Sequence, residues 1–167
     1  TPVVFTDAVL EATEVFCQKA EELAIPCYFV SKTDYSFLKF KNKSIDFSYV
    51  SRYDYNIEVQ LKTIARYQIE NCALALRAIE VLDTDRKITT EQMKQGAENC
   101  FWAGRMEEVA PDIFVDGAHN EDAAARLAKS IEFYFTNKRI IYIMGVLRDK
   151  EYEKIIGLTH SLADQII

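Results

Sequence analysis

Apolar residues recur along the chain with two different periods, and the change from one to the other divides it into elements. Val3, Val4 and Phe5 form a short apolar run, and Asp7 to Ala24 then carries Val9, Ala12, Phe16, Ala20 and Leu23 at helical spacing. Ile25 to Val30 is a second apolar run, so the chain opens as strand, helix, strand, the usual order for pairing parallel strands. From Phe37 to Leu61 the period drops to two. Ile45, Phe47 and Tyr49 alternate with polar residues, as do Tyr53, Tyr55, Ile57, Val59 and Leu61, which predicts antiparallel strands with one wet face. The helical period returns over Arg66 to Leu82, with Ile69, Cys72, Ala73, Leu76 and Ile79 on the core stripe, and over a helix opened by Thr90 with Met93, Ala97 and Cys100. After a break at Gly104 the pattern is again mixed. Ile113 to Val115 reads as a strand, Asp122 to Phe135 as a helix, Arg139 to Met144 as a strand ended by Gly145, Tyr152 to Ala163 as a helix and Gln165 to Ile167 as a strand.

The fold class is therefore α/β, and the richest chemistry lies in the turn between a strand and a helix, Asp116-Gly117-Ala118-His119-Asn120. In open α/β sheets the loops leaving the carboxyl ends of strands form the ligand crevice. Gly117 allows the sharp turn, Asn120 is suited to cap the following helix, and Glu121 and Asp122 fall in its favourable first turn. Asp116, following an apolar strand, is expected to be partly buried and to need a compensating partner or ligand. His119 is one of only two histidines. The bland alternative is a turn that merely caps a helix.

Composition narrows the classes. Of 167 residues, 49% are hydrophobic and 28% charged, enough apolar mass for a core and neither a disorder nor a collagen signature. The apolar runs are far shorter than the ~20 residues that cross a bilayer, and Thr1-Pro2 does not begin a secretory signal. Cys17, Cys27, Cys72 and Cys100 are widely spaced without a Cys-x-x-Cys pair, so they read as buried thiols in a reducing, cytoplasmic setting. A net charge of −6, and Asp46 and Asp54 among the tyrosines of the alternating segment, argue against a nucleic-acid surface. An anionic ligand would have to be met by particular cations and helix amino termini.

Four stretches, in order, resemble the folylpolyglutamate synthase and dihydrofolate synthase family of the Mur ligase superfamily. They are Tyr67-Gln68-Ile69-Glu70-Asn71-Cys72-Ala73-Leu74-Ala75-Leu76, Trp102-Ala103-Gly104-Arg105-Met106-Glu107, the Asp116 to Asn120 turn, and Gly145 to Lys150. Cys72 stands where the family pattern runs directly from asparagine to alanine, and Phe37 to Leu61 matches only in general character. The resemblance implies part of a Mur-ligase central ATPase domain over residues 1–103, a parallel sheet plus a small antiparallel sheet. Part of a Rossmann-like carboxy-terminal domain then follows over residues 104–167.

The resemblance further implies an ATP-dependent ligase that adds L-glutamate to a folate through an acyl phosphate, a cytoplasmic enzyme and a monomer when full-length. Asn71 would contact adenine, beside Gln68 as the positioning member; Arg105 would neutralise the γ-phosphate, Asp116 would hold the ribose or an ordered water, and His119 would lie near the phosphates. Taken alone, Asn71 is as readily a surface amide and Arg105 a solvated linker charge, although a guanidinium fork binds phosphate oxygens in pairs. Lys150 reads as an ion-pair partner. The chain contains no Gly-x-x-x-x-Gly-Lys-Ser/Thr loop, so the phosphate loop, the Mg2+ ligands and most folate contacts are expected outside it. The chain is accordingly expected to be a piece of a longer protein, inactive alone. A dihydrofolate synthase or bifunctional enzyme shares all four motifs, a cell-wall Mur ligase fits the turn less well, and a non-catalytic α/β nucleotide-binding module is the alternative from another class.

Overall fold

The structure, a computed structural model, describes residues 1–53, 56–147 and 150–167. Two compact units share the chain: residues 1–62 with 68–101, and residues 63–67 with 102–167. Five residues that precede the long helix in sequence thus belong to the second unit, although the motif spacing groups them with the first.

In the first unit, β1 (Val3–Thr6), α1 (Leu10–Glu22) and β2 (Cys27–Val30) form the expected β-α-β element, with β1 and β2 parallel and Val3 opposite Cys27. The alternating segment is an antiparallel sheet in the order β3 (Tyr35–Lys41), β4 (Ser44–Val50) and β5 (Asn56–Leu61). Because side chains alternate across a strand, Ile45, Phe47, Tyr49, Ile57, Val59 and Leu61 all fall on one face and are buried. That face packs with Ile69, Ala73 and Leu76 of α2 (Gln68–Leu82) and Met93 of α3 (Thr90–Glu98) into the core of this unit. Thr89 caps α3 reciprocally with Gln92. Tyr55, assigned by period to the sheet, and Asp54 lie outside the described residues.

A polar network is enclosed beside this core. Glu80 Oε2 accepts from the Tyr49 hydroxyl at 2.9 Å, while Oε1 accepts from Ser51 Oγ at 2.6 Å and Arg52 N at 3.2 Å. Arg77 lies 3.6 Å from Glu80 and 3.6 Å from Asp34. Burial and the neighbouring Glu80 carboxylate push the Tyr49 hydroxyl far above its ordinary range, so it stays protonated and donates.

The second unit holds β6 (Glu107–Ala110), β7 (Ile113–Val115), α4 (Glu121–Tyr134), β8 (Ile141–Tyr142), α5 (Tyr152–Thr159), a short 3-10 turn at His160–Leu162, and β9 (Gln165–Ile166). β8 and β9 are parallel, and Ala124, Leu127, Ala128 and Ile131 of α4 are buried at the predicted spacing. The strand β6 is absent from the periodicity. It pairs antiparallel with β7 through a two-residue turn, Pro111-Asp112, in which Asp112 takes φ +58°.

Several sequence expectations change. The helix predicted from Asp7 starts at Leu10, and of its apolar stripe only Ala20 is buried, with Val9 55%, Phe16 45% and Leu23 57% exposed. Periodicity identifies a face but not what covers it, and β1 and β2 form a sheet of only two strands. The cysteines are not uniformly buried: Cys17 and Cys100 are exposed, Cys27 and Cys72 intermediate, and all four are free, with the Cys17 and Cys27 sulfurs 3.7 Å apart. Only Cys72 fits a sequestered thiol, its pKa pushed up to about 12 by burial and then by Cys100. The helix predicted from Arg66 begins at Gln68, because Arg66 and Tyr67 are committed to the second unit.

Candidate functional site

The turn following β7 is built from its own backbone and from two other pieces of the second unit. Asn120 Oδ1 accepts from Ala123 N at 2.8 Å, capping α4 as its residue type predicts. Asp116 Oδ1 accepts from Ala118 N at 2.8 Å, two residues on, which tightens the turn. Asp116 Oδ2 accepts from Met106 N at 2.9 Å and from the Tyr67 hydroxyl at 2.6 Å. The compensation that a partly buried carboxylate requires therefore comes from the protein, and a carboxylate offers about four acceptor positions, of which these donors take three.

Trp102 to Glu107 wraps the turn from the other side. Gly104 adopts φ +67° and Met106 φ +49°, two left-handed residues around Arg105. The conformation suits glycine but costs about 1–3 kcal/mol at a residue such as Met106, and Met106 is buried with its N–H on Asp116. Glu107 Oε2 accepts from Gly104 N at 2.7 Å, and Gly117 N donates to Gly104 O at 2.8 Å. A methyl group on Gly117 would lie 3.6 Å from an Arg105 terminal nitrogen, so the guanidinium rests beside the turn's backbone. His119 is exposed, and its Nδ1 lies 2.8 Å from the Gly117 carbonyl. A carbonyl only accepts, so Nδ1 carries a proton and Nε2 is the ring nitrogen left for an outside partner.

Arg105, Asp116 and His119 are thus brought together within one unit. Gln68 and Asn71 belong to the other, where Gln68 is buried and its Oε1 accepts from the Nδ2 of the exposed Asn71 at 2.9 Å. The buried amide fixes the orientation of the exposed one. Of the fourth motif, Arg148 and Asp149 lie outside the described residues, and Lys150 N donates to Leu147 O. No group of three or more His, Cys, Asp or Glu residues suited to a metal occurs among the described residues.

Two contributors have no role assigned in the sequence reading, Tyr67 and Glu107. Tyr67 stands immediately before Gln68, and Glu107 closes the Trp-x-Gly-Arg-x-Glu pattern, so position inside a motif was the available signal. The Tyr67 hydroxyl is pushed far above its ordinary range by burial and then by its bond to Asp116 and that charge, with Arg105 opposing. At neutral pH it is therefore protonated and donates to Asp116.

Residues 104–167 match the family described as "Mur ligase, glutamate ligase domain". The dihydrofolate synthase/folylpolyglutamate synthase of Bacillus subtilis is 30% identical over 173 aligned positions, covering 99% of this chain and 40% of that protein. Among solved structures, an FPGS–AMPPCP–folate complex superposes with a TM-score of 0.86 at 24% identity, covering 98% of this chain and 41% of the other. The folylpolyglutamate synthase of Mycobacterium tuberculosis complexed with ADP gives a TM-score of 0.83 at 20% identity, covering 99% and 38% respectively. These likenesses show a shared fold, and the chain spans about two fifths of the length of the relatives it matches. In sequence the chain is similar to about two fifths of a dihydrofolate synthase/folylpolyglutamate synthase, in fold it is similar to folylpolyglutamate synthases, and residues 104–167 match the Mur-ligase glutamate ligase domain.

Proposed function

We propose that the full-length protein is an ATP-dependent amide ligase that adds L-glutamate to a folate, and that this chain supplies part of its nucleotide-handling machinery. The observation that carries the proposal is the grouping of Arg105 with Asp116 and His119, where the 104–107 backbone and the Asp116–Asn120 turn are tied by four hydrogen bonds and Tyr67 adds a fifth to the Asp116 carboxylate. Kinship with folylpolyglutamate and dihydrofolate synthases, and neighbours of the same fold solved with AMPPCP, folate or ADP, support the choice of substrates.

In this reaction a folate carboxylate attacks the γ-phosphate of ATP, forming an acyl phosphate and releasing ADP. The amine of glutamate then attacks the acyl carbon, loses a proton and expels phosphate, leaving an amide. Little covalent chemistry falls to the protein, so positioning and charge neutralisation dominate. Arg105 would meet phosphate oxygens with its planar fork, His119 with both ring nitrogens protonated would donate from Nε2 to the phosphates, and Asn71, steadied by Gln68, would pair with the edge of adenine. Asp116 holds the turn and keeps one acceptor position for a ribose hydroxyl or a water. Mg2+ would be held by ligands outside this chain and would neutralise the triphosphate. Residues 1–103 would belong to a central ATPase domain, residues 104–167 to a carboxy-terminal one, in a cytoplasmic enzyme working as a monomer.

The test is steady-state turnover of the full-length protein with ATP, a folate and glutamate. Arg105→Lys retains the charge but loses the fork, so kcat should fall about tenfold with a smaller change in nucleotide affinity. Normal turnover in the lysine variant would return Arg105 to the class of solvated linker charges.

A further inference from the structure

Among the described residues, Tyr67 is the side chain that reaches Asp116 from outside the turn and the segment wrapping it. It lies in residues 63–67, which belong to the second unit although residue 68 begins α2 of the first. Those residues are anchored to α4: Ile64 and Ala65 are buried, Arg66 N donates to Ser130 Oγ at 3.2 Å, and the Arg66 guanidinium sits 4.6 Å over the Phe133 ring. Ser130 is itself fully buried. The Tyr67 hydroxyl therefore arrives at Asp116 from a fixed point, and its 2.6 Å distance is that of a strong bond to a carboxylate. Asp116 Oδ2 is shared between this hydroxyl and Met106 N, the amide of a left-handed residue next to Arg105.

We propose that Tyr67 is a positioning residue of the ligase reaction: through Asp116 Oδ2 it fixes the carboxylate to which both the Arg105–Met106 backbone and the Asp116–Asn120 turn are tied. Removal of its hydroxyl leaves one backbone donor on each Asp116 oxygen, enough to keep the turn closed, but takes away the one bond that ties the carboxylate to residues 63–67 and so to α4. The effect then falls on alignment of Arg105 and His119, and the fold is preserved because the ring stays in place. The inference rests on the ligase proposal above.

A double-mutant cycle in the full-length protein decides it. Tyr67→Phe, Asp116→Ala and the double variant are compared with wild type in kcat at saturating ATP, in KM for ATP and in thermal unfolding. The expected result is about a tenfold fall in kcat for Tyr67→Phe, as suits the loss of one bond to a charged group, with the unfolding midpoint little changed. In the Asp116→Ala background the same substitution should change kcat by less than about twofold, because its partner is gone. Equal losses in both backgrounds, or a lower unfolding midpoint with kcat unchanged, would overturn the positioning role while leaving the ligase proposal intact. A wild-type protein with no ATP-dependent glutamate addition would overturn both.

Discussion

Glu80 and Asp116 are carboxylates held in closely similar ways in two different units. Each accepts from a tyrosine hydroxyl and from backbone N–H, and each tyrosine is driven far above its ordinary pKa, chiefly by burial. Their surroundings differ. Glu80 is buried among Tyr49, Ser51 and Arg77 on the flank of an apolar core, with a cation 3.6 Å away. Asp116 is only partly buried, its other donors are the amides of a strained turn, and the side chains around it, Arg105 and His119, retain access to solvent. The same ligation serves two ends: where it is sealed and ion-paired it specifies packing, and where it opens onto exposed polar groups it shapes a surface that can receive a ligand.

Substitutions separate the two. Glu80→Ala should carry the largest effect, about 3–5 kcal/mol of stability, because it removes the acceptor shared by Tyr49, Ser51 and Arg52 N and one of the two carboxylates beside the buried Arg77. Urea unfolding would measure it, and a loss below about 1 kcal/mol would place the network with ordinary surface ion pairs. Asp116→Ala should do the reverse, lowering turnover of the full-length protein by about a hundredfold while its unfolding midpoint moves by only a few degrees. A midpoint that collapses as turnover does would make Asp116 a second Glu80.

Much of this contrast was legible in the residues. Period-two alternation placed Ile45, Phe47, Tyr49, Ile57, Val59 and Leu61 on the buried face, because strand geometry leaves a one-sided sheet no other choice. Asn120 was readable as a cap from its type and place. The strand β6 was not, because Glu107 and Glu108 break the apolar run and its pairing depends on the Pro111-Asp112 turn. Nor was the exposure of α1, whose stripe is regular but whose cover depends on tertiary neighbours. Tyr67 was hidden for a different reason: its partner lies 49 positions away, a separation that no local pattern records.

The most direct measurement of the site itself is calorimetric titration of AMPPCP with Mg2+ into the full-length protein, with His119→Ala and, as a control on an exposed ion pair remote from the turn in sequence, Lys87→Ala. A phosphate-facing histidine should make the His119→Ala Kd weaker by about tenfold, the scale of one contact to a charged group, and leave the Lys87→Ala Kd at the wild-type value. Equal Kd values in wild type and His119→Ala would contradict a nucleotide site at this turn and reduce Asp116 to Asn120 to a helix cap.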